Sequence, residues 1–336
     1  MWVGLSLMAD IAVADAADDT NPVMQIQMTF DRPLDSVAAP FMVARAQGFY
    51  RAEFVNVASN VVNGSPEAIA RVASSASDVA LVDLNALIRY RDKADAAPIK
   101  AVFVLLNTAP YAIVARKSRG VGTLVDLDGK TLGVADGDLS IRLWPALAKR
   151  NGIRLASVRQ DHIGAAVREP MLSAGQVDAV TGFSYLSAVN LRDRGIPADD
   201  LAVLRFADYG STAYGLALIV NPTFAAAKPQ ALRSFLRAVT AGLQVTIRSP
   251  AKAIDDVMQQ IDNGMRDLEL TRLRAALHDN IVTPDVKRDG LGDLDPVRFA
   301  TSVGELAEDF KFTTTPIMDD IFDASFLPDR PLRKVQ

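Results

Sequence analysis

The side chains best equipped for chemistry lie in short polar and aromatic groups: Asp31 with Arg32, Asn63 with Ser65, Asp83 with Asn85, Tyr111, Asp138 with Ser140, Phe183 with Tyr185, and Tyr209 with Tyr214. Each tyrosine offers a flat apolar face and one hydroxyl, which holds an organic solute at small entropic cost. Four of the chain's six tyrosines belong to these groups. Tools for covalent or redox catalysis are scarce. Cysteine is absent, which removes thiolate nucleophiles, disulfides, iron–sulfur clusters and cysteine-based zinc sites. A histidine-dependent metal site or catalytic triad would have to use His162 or His278. His278 falls in a charged, helix-like stretch at 268–280, where a solvated helix face explains it. His162 ends an alternating run and precedes Gly164, near a strand end, with no partner motif beside it.

At about 150 residues per domain, 336 residues imply two domains. With 49% apolar and 23% charged residues the composition is that of a globular protein with a sizeable core. Lys and Arg number 36 against 40 Asp and Glu, giving −4, so no diffuse positive field exists to hold a phosphate backbone, and nucleic acid is excluded as a partner.

The elements that must position these groups follow from periodicity. Met24, Ile26, Met28 and Phe30 alternate with Gln25, Gln27 and Thr29, the two-residue period of a half-buried strand that ends at Asp31-Arg32-Pro33. A helix is predicted over 40–47, stopped by Gly48. A strand follows over 54–58, and then Ser65 as N-cap with Pro66 at the first helical position. Strands are predicted over 79–82, 99–105 and 111–115, with a helix opening at Asp83. The pattern restarts with strands at 131–134, 157–162, 177–181, 203–206 and 214–220, interleaved with helices. From Pro222 onward helices dominate, as an outer cover for a sheet already built. Strand–helix alternation is the signature of an α/β protein with mostly parallel sheets flanked by helices. The restart makes residues 111–207 an inserted second lobe (lobe II) in a first lobe of 23–110 plus 208–336 (lobe I). Two crossings join them, near 108–111 and 208–214. Ligands of open parallel sheets collect at strand carboxyl ends, and the groups named above occupy those ends.

No stretch reaches the ~18 apolar residues of a membrane span. Residues 2–9 are apolar and Ala14-Asp15-Ala16 fits a small-x-small cleavage site, so residues 1–22 read as a remnant export signal and the protein as periplasmic, although Asp10 is out of place and no Lys or Arg precedes the run.

Ala39-Pro40-Phe41-Met42-Val43-Ala44 leading to Gly48-Phe49-Tyr50, then Gly64-Ser65-Pro66-Glu67 and Val79-Ala80-Leu81-Val82-Asp83, resemble the first lobe of periplasmic solute-binding proteins related to thiamine-pyrimidine synthase and to the nitrate, sulfonate and taurine receptors. Residues 126–134 and 171–180 resemble second-lobe motifs of the same family. The similarity covers 23–253. It implies a two-lobed periplasmic-binding-protein type II fold and a ligand-binding component of an ABC importer. Such a component works as a monomer with a permease and its ATPase, without cofactor and without catalysis of its own.

Two departures shape the expected ligand. Oxyanion-binding members place a Gly-Ser-type segment at the helix after the Gly133-Val134 strand. Here Asp138 stands as N-cap on those donors and adds negative charge. With Asp31, Asp83 and Asp208 against Arg32 and Arg142, the balance favours a neutral or cationic nitrogen heterocycle, such as a thiamine-type pyrimidine, over sulfonate or nitrate, although Arg32 could pair a carboxylate. The pyrimidine synthases that the family resembles use a cysteine cluster and histidine that serve iron, which a chain without cysteine cannot reproduce.

Overall fold

The computed structural model describes residues 22–135, 137–261 and 264–335. The expected export segment lies outside them but for Pro22. Ten strands form two sheets of five. The first contains β1 (Met24–Phe30), β2 (Val55–Val61), β3 (Val79–Asp83) and β4 (Lys100–Val104). The second contains β5 (Tyr111–Arg116), β6 (Thr131–Ala135), β7 (Arg159–Ile163), β8 (Ala179–Phe183) and β9 (Leu201–Arg205). The chain then returns to the first sheet with β10 (Leu216–Val220).

The two sheets repeat one plan. The orders are β2-β1-β3-β10-β4 and β7-β6-β8-β5-β9. In the first, β1 runs parallel to β2 and β3 while β10 is antiparallel to β3 and β4. In the second, β6 runs parallel to β7 and β8 while β5 is antiparallel to β8 and β9. The antiparallel strand of each sheet is therefore the one that directly follows a crossing. Strands β3 and β10 are buried along their whole length, as continuous apolar runs covered on both faces should be. Strand β1 keeps the expected alternation at Gln25, Ile26, Gln27 and Met28 but loses it at Thr29, which is buried with its hydroxyl bonded to Asn60 and Ser77.

Helix Pro229–Arg248 lies on the first sheet against helix Ala39–Ala46. Their approach depends on Gly242, where a Cβ would lie 2.1 Å from the Pro40 carbonyl oxygen. The C-terminal helices were expected only to cover a finished sheet, and they do more. Helix Arg266–Ala276 packs on helix Ser184–Asp193, and helix Pro296–Ala307 on helix Ser140–Arg150, so both touch the second half of the fold.

The crossings are clamped from helix Pro296–Ala307. Arg298 donates to the Asn107 carbonyl at 2.8 Å and to the Thr212 carbonyl at 2.9 Å, and its guanidinium lies 4.1 Å from the Tyr214 ring centroid. One turn-pair further on, buried Glu305 accepts from the Thr212 N–H at 3.0 Å and the Ser211 hydroxyl at 2.8 Å. Among the described residues no helix is long and apolar enough to cross a membrane.

Candidate functional site

The carboxyl ends of β1, β3, β6 and β8 face one cavity of about 590 Å³. Because β5 is antiparallel, its first residue, Tyr111, joins them there. Eight expected residues line it: Asp31, Arg32, Asn63, Ser65, Asp83, Tyr111, Asp138 and Phe183.

The first-sheet wall is a closed polar network. Arg32 grips Asp31 with two prongs, Nε to Oδ1 at 2.8 Å and Nη2 to Oδ2 at 3.1 Å. Ser65 was expected to cap its helix, but Gly64 holds that position. The Ser65 hydroxyl instead donates to Asp31 at 2.5 Å and accepts from the Asp83 N–H at 3.1 Å, tying its helix start to the ends of β1 and β3. Asp83 accepts from the Asn85 N–H at 2.8 Å and side-chain amide at 2.9 Å, and from the Tyr111 hydroxyl. Burial pushes the Asp83 carboxyl up to about 6, and the hydrogen bonds from Tyr111 and Asn85 oppose that rise. Burial and the neighbouring Asp83 charge together hold the Tyr111 phenol well above its ordinary value. For Arg32, burial opposes the charge, but the Asp31 carboxylate outweighs it and raises the guanidinium pKa further.

On the second-sheet wall, the expected N-cap Asp138 is displaced from that position by Leu139, yet it accepts from one helix-start donor, the Ser140 N–H at 2.9 Å, and from the Ser140 hydroxyl at 2.6 Å. Its other oxygen accepts from Arg168 at 2.6 Å and Thr181 at 2.7 Å. The expected unbalanced charge of Asp138 is thus met by Arg168. A third side comes from helix Arg266–Ala276: Glu269 accepts from the Ser36 N–H at 3.0 Å, and Arg272 bonds both Glu269 and Asn190. Asp35 lines the same space, and burial raises its pKa against the pull of Arg32. Apolar surface comes from Leu34, Leu139, Phe183 and Leu186.

Five expected residues do not line the cavity. Asn85 and Ser140 stand behind the walls as partners of Asp83 and Asp138. Tyr185 is fully buried, its ring 6.0 Å from Phe183 and its hydroxyl 3.5 Å from Asp35. Tyr214 faces a different cavity of about 530 Å³, with Asn107, Asp285 and Asp295, because Arg298 holds it on the far side of the crossings. Tyr209 ends a short turn whose carbonyl accepts from Asn151 at 3.1 Å. The charges expected from Asp208 and Arg142 are also elsewhere, paired with Arg205 and Asp309.

Sequence reasoning missed Asp35, Arg168, Glu269 and Arg272. Glu269 and Arg272 sit three apart on one helix face, a legible pair. Arg168 opens helix Arg168–Ala174. The carboxyl groups of Asp31, Asp35, Asp83, Asp138 and Glu269 outnumber the guanidinium groups of Arg32, Arg168 and Arg272. Cysteine-ligated iron, which the resemblance attaches to pyrimidine synthases, finds no cysteine donor in this chain. Among the described residues no group of three or more His, Cys, Asp or Glu is placed to hold a metal ion.

Two similar sheets that open one polar, aromatic-lined cleft between their strand ends define a protein of the periplasmic-binding-protein class. Within it, the chain belongs to the NMT1/THI5-like family, whose profile matches residues 35–253. It is 30% identical over 243 residues to the riboflavin-binding protein RibY of Chloroflexus aurantiacus, covering 70% of this chain and 66% of that protein. It is 25% identical over 301 residues to 4-amino-5-hydroxymethyl-2-methylpyrimidine phosphate synthase of Legionella pneumophila, covering 87% and 89%. The fold matches the periplasmic aliphatic sulphonate binding protein SsuA of Escherichia coli with a TM-score of 0.71 at 12% identity, over 92% of this chain and 95% of that one. It also matches a ligand-binding component of an ABC-type import system from Staphylococcus aureus, TM-score 0.66 at 14% identity, over 90% and 97%.

These relatives correct one expectation. The chain was expected to have no catalysis of its own, yet the Legionella relative and two fungal ones, at 24% and 23% identity, are named as a synthase, an enzyme.

Proposed function

We propose that the chain captures a small planar nitrogen heterocycle, of thiamine-type pyrimidine or related chemistry, and delivers it to the permease and ATPase of an ABC importer. The cleft between lobe I, residues 23–110 and 208–336, and lobe II, residues 111–207, holds the solute. The protein acts outside the cytoplasm, as a monomer, and closes by bending at the two crossings. The observation that carries this reading is the cavity itself. The ring of Phe183 offers stacking area, and the carboxyl groups of Asp31 and Asp83 offer acceptors for ring and amino N–H groups. Asp138 already takes one helix-start donor, the Ser140 N–H, and adds negative charge there, which supports a heterocycle over sulfonate or nitrate. Relatives named for riboflavin and for a pyrimidine phosphate both concern nitrogen heterocycles.

The test is native mass spectrometry of the full chain with riboflavin, 4-amino-5-hydroxymethyl-2-methylpyrimidine and taurine. A 1:1 complex with a heterocycle and none with taurine is expected; retention of taurine alone overturns the reading. A second reading, pyrimidine-synthase-type chemistry in the same cleft, is favoured by the alignment over 89% of the Legionella relative. Appearance of a new pyrimidine mass after incubation would establish it.

A further inference from the structure

Arg32 bridges the cleft. While its Nε and Nη2 grip Asp31 at 2.8 and 3.1 Å on the first sheet, its guanidinium carbon lies 4.9 Å from the centroid of Phe183, the last residue of β8 in the second sheet. A guanidinium is a flat cation with two parallel N–H groups on an N–C–N edge, and it stacks on aromatic faces. An aminopyrimidine protonated on the ring nitrogen beside its amino group has the same edge, the same charge and the same thickness. The pair is also asymmetric. The Asp31 side chain is 2% exposed and is held from behind by Ser65 at 2.5 Å, whereas the Arg32 side chain is 25% exposed.

We infer that Arg32 is a built-in stand-in for the ligand: a planar cation with an N–C–N donor edge displaces its guanidinium, taking over both the fork on Asp31 and the face of Phe183. This rests on the heterocycle reading and narrows it to aminopyrimidines and amidine-like rings. The ligand's ring nitrogen takes its proton from solvent. A fixed Arg32 that simply holds the ligand would give the opposite sign on removal.

The experiment is calorimetric titration of the full-length wild type and Arg32→Ala with 4-aminopyrimidine and with methylguanidinium. Arg32→Ala should bind 4-aminopyrimidine at least tenfold more tightly than wild type, and methylguanidinium should bind the variant and compete there. Equal or weaker aminopyrimidine binding by the variant, or no methylguanidinium binding, overturns the inference. The double variant Asp31→Asn/Arg32→Ala removes the carboxylate that the Arg32 fork grips and should lose methylguanidinium. Should Arg32→Ala fail to fold, phenylglyoxal labelling of wild type decides: 4-aminopyrimidine should raise labelling of Arg32 at least threefold, and protection would refute displacement. Wild type that binds a heterocycle while the variant gains nothing sinks the stand-in alone. Failure of both proteins with every heterocycle sinks the wider reading as well.

Discussion

On the first-sheet wall of the cleft an acid meets its cation one residue away, Asp31 with Arg32. On the second-sheet wall Asp138 finds Arg168 thirty residues on. The near pair hangs from one strand end, and its cation reaches across the cleft to Phe183. The distant pair is stitched into the fold, because the same Arg168 nitrogen also donates to the Thr181 carbonyl of β8 at 2.8 Å. Similar chemistry thus takes two forms: the Asp31–Arg32 pair spans the cleft to Phe183, and the other ties the β6 and β8 strand ends together.

The sharpest way to break that contrast is to remove each cation. Arg168→Ala leaves Asp138, whose side chain is 7% exposed, without its partner, and should cost about 4 kcal/mol in urea denaturation. Arg32→Ala should cost less, because its loss opens Asp31 to the cavity, whereas Arg168 also ties the Thr181 carbonyl of β8. Equal losses would erase the distinction between the walls.

Next in size is the pH response of Asp83. Its folded value of about 6 exceeds the ordinary 3.8, so the folded state binds more protons across that window and stability falls as pH rises through it, by up to about 3 kcal/mol. Asp83→Asn should flatten this slope in denaturation midpoints taken from pH 4 to 6.5. Tyr111→Phe removes the hydroxyl that lowers the Asp83 value. It should cost about 2 kcal/mol and move the Asp83 midpoint, followed by carbon-detected NMR, further up. The smallest effect belongs to Ser140→Ala, about 1 kcal/mol or less, since Asp138 keeps Arg168 and Thr181.

The same contrast explains what could be read in the sequence. Local periodicity and strand-end chemistry suffice where partners are close in the chain, so β1, Asp31, Arg32, Ser65 and Asp83 were all legible. Strand β10 was legible as a segment, but its antiparallel place between β3 and β4 is a long-range choice that no local pattern encodes. Arg168 and Arg272 reach the cleft only because helices far along the chain return to it. Tyr209 and Tyr214 failed for a related reason. Proximity to a crossing fixes neither which side of it a ring faces, nor the grip of Arg298, which lies 84 residues beyond Tyr214.

The central claim is that the cavity between the two walls, and not the one behind the crossings, takes a planar nitrogen heterocycle. Calorimetric titration of the retained heterocycle into wild type, Phe183→Ala and Tyr214→Ala tests it directly. The account predicts at least a tenfold loss of affinity in Phe183→Ala and wild-type affinity in Tyr214→Ala; unchanged binding in Phe183→Ala with loss in Tyr214→Ala would contradict it.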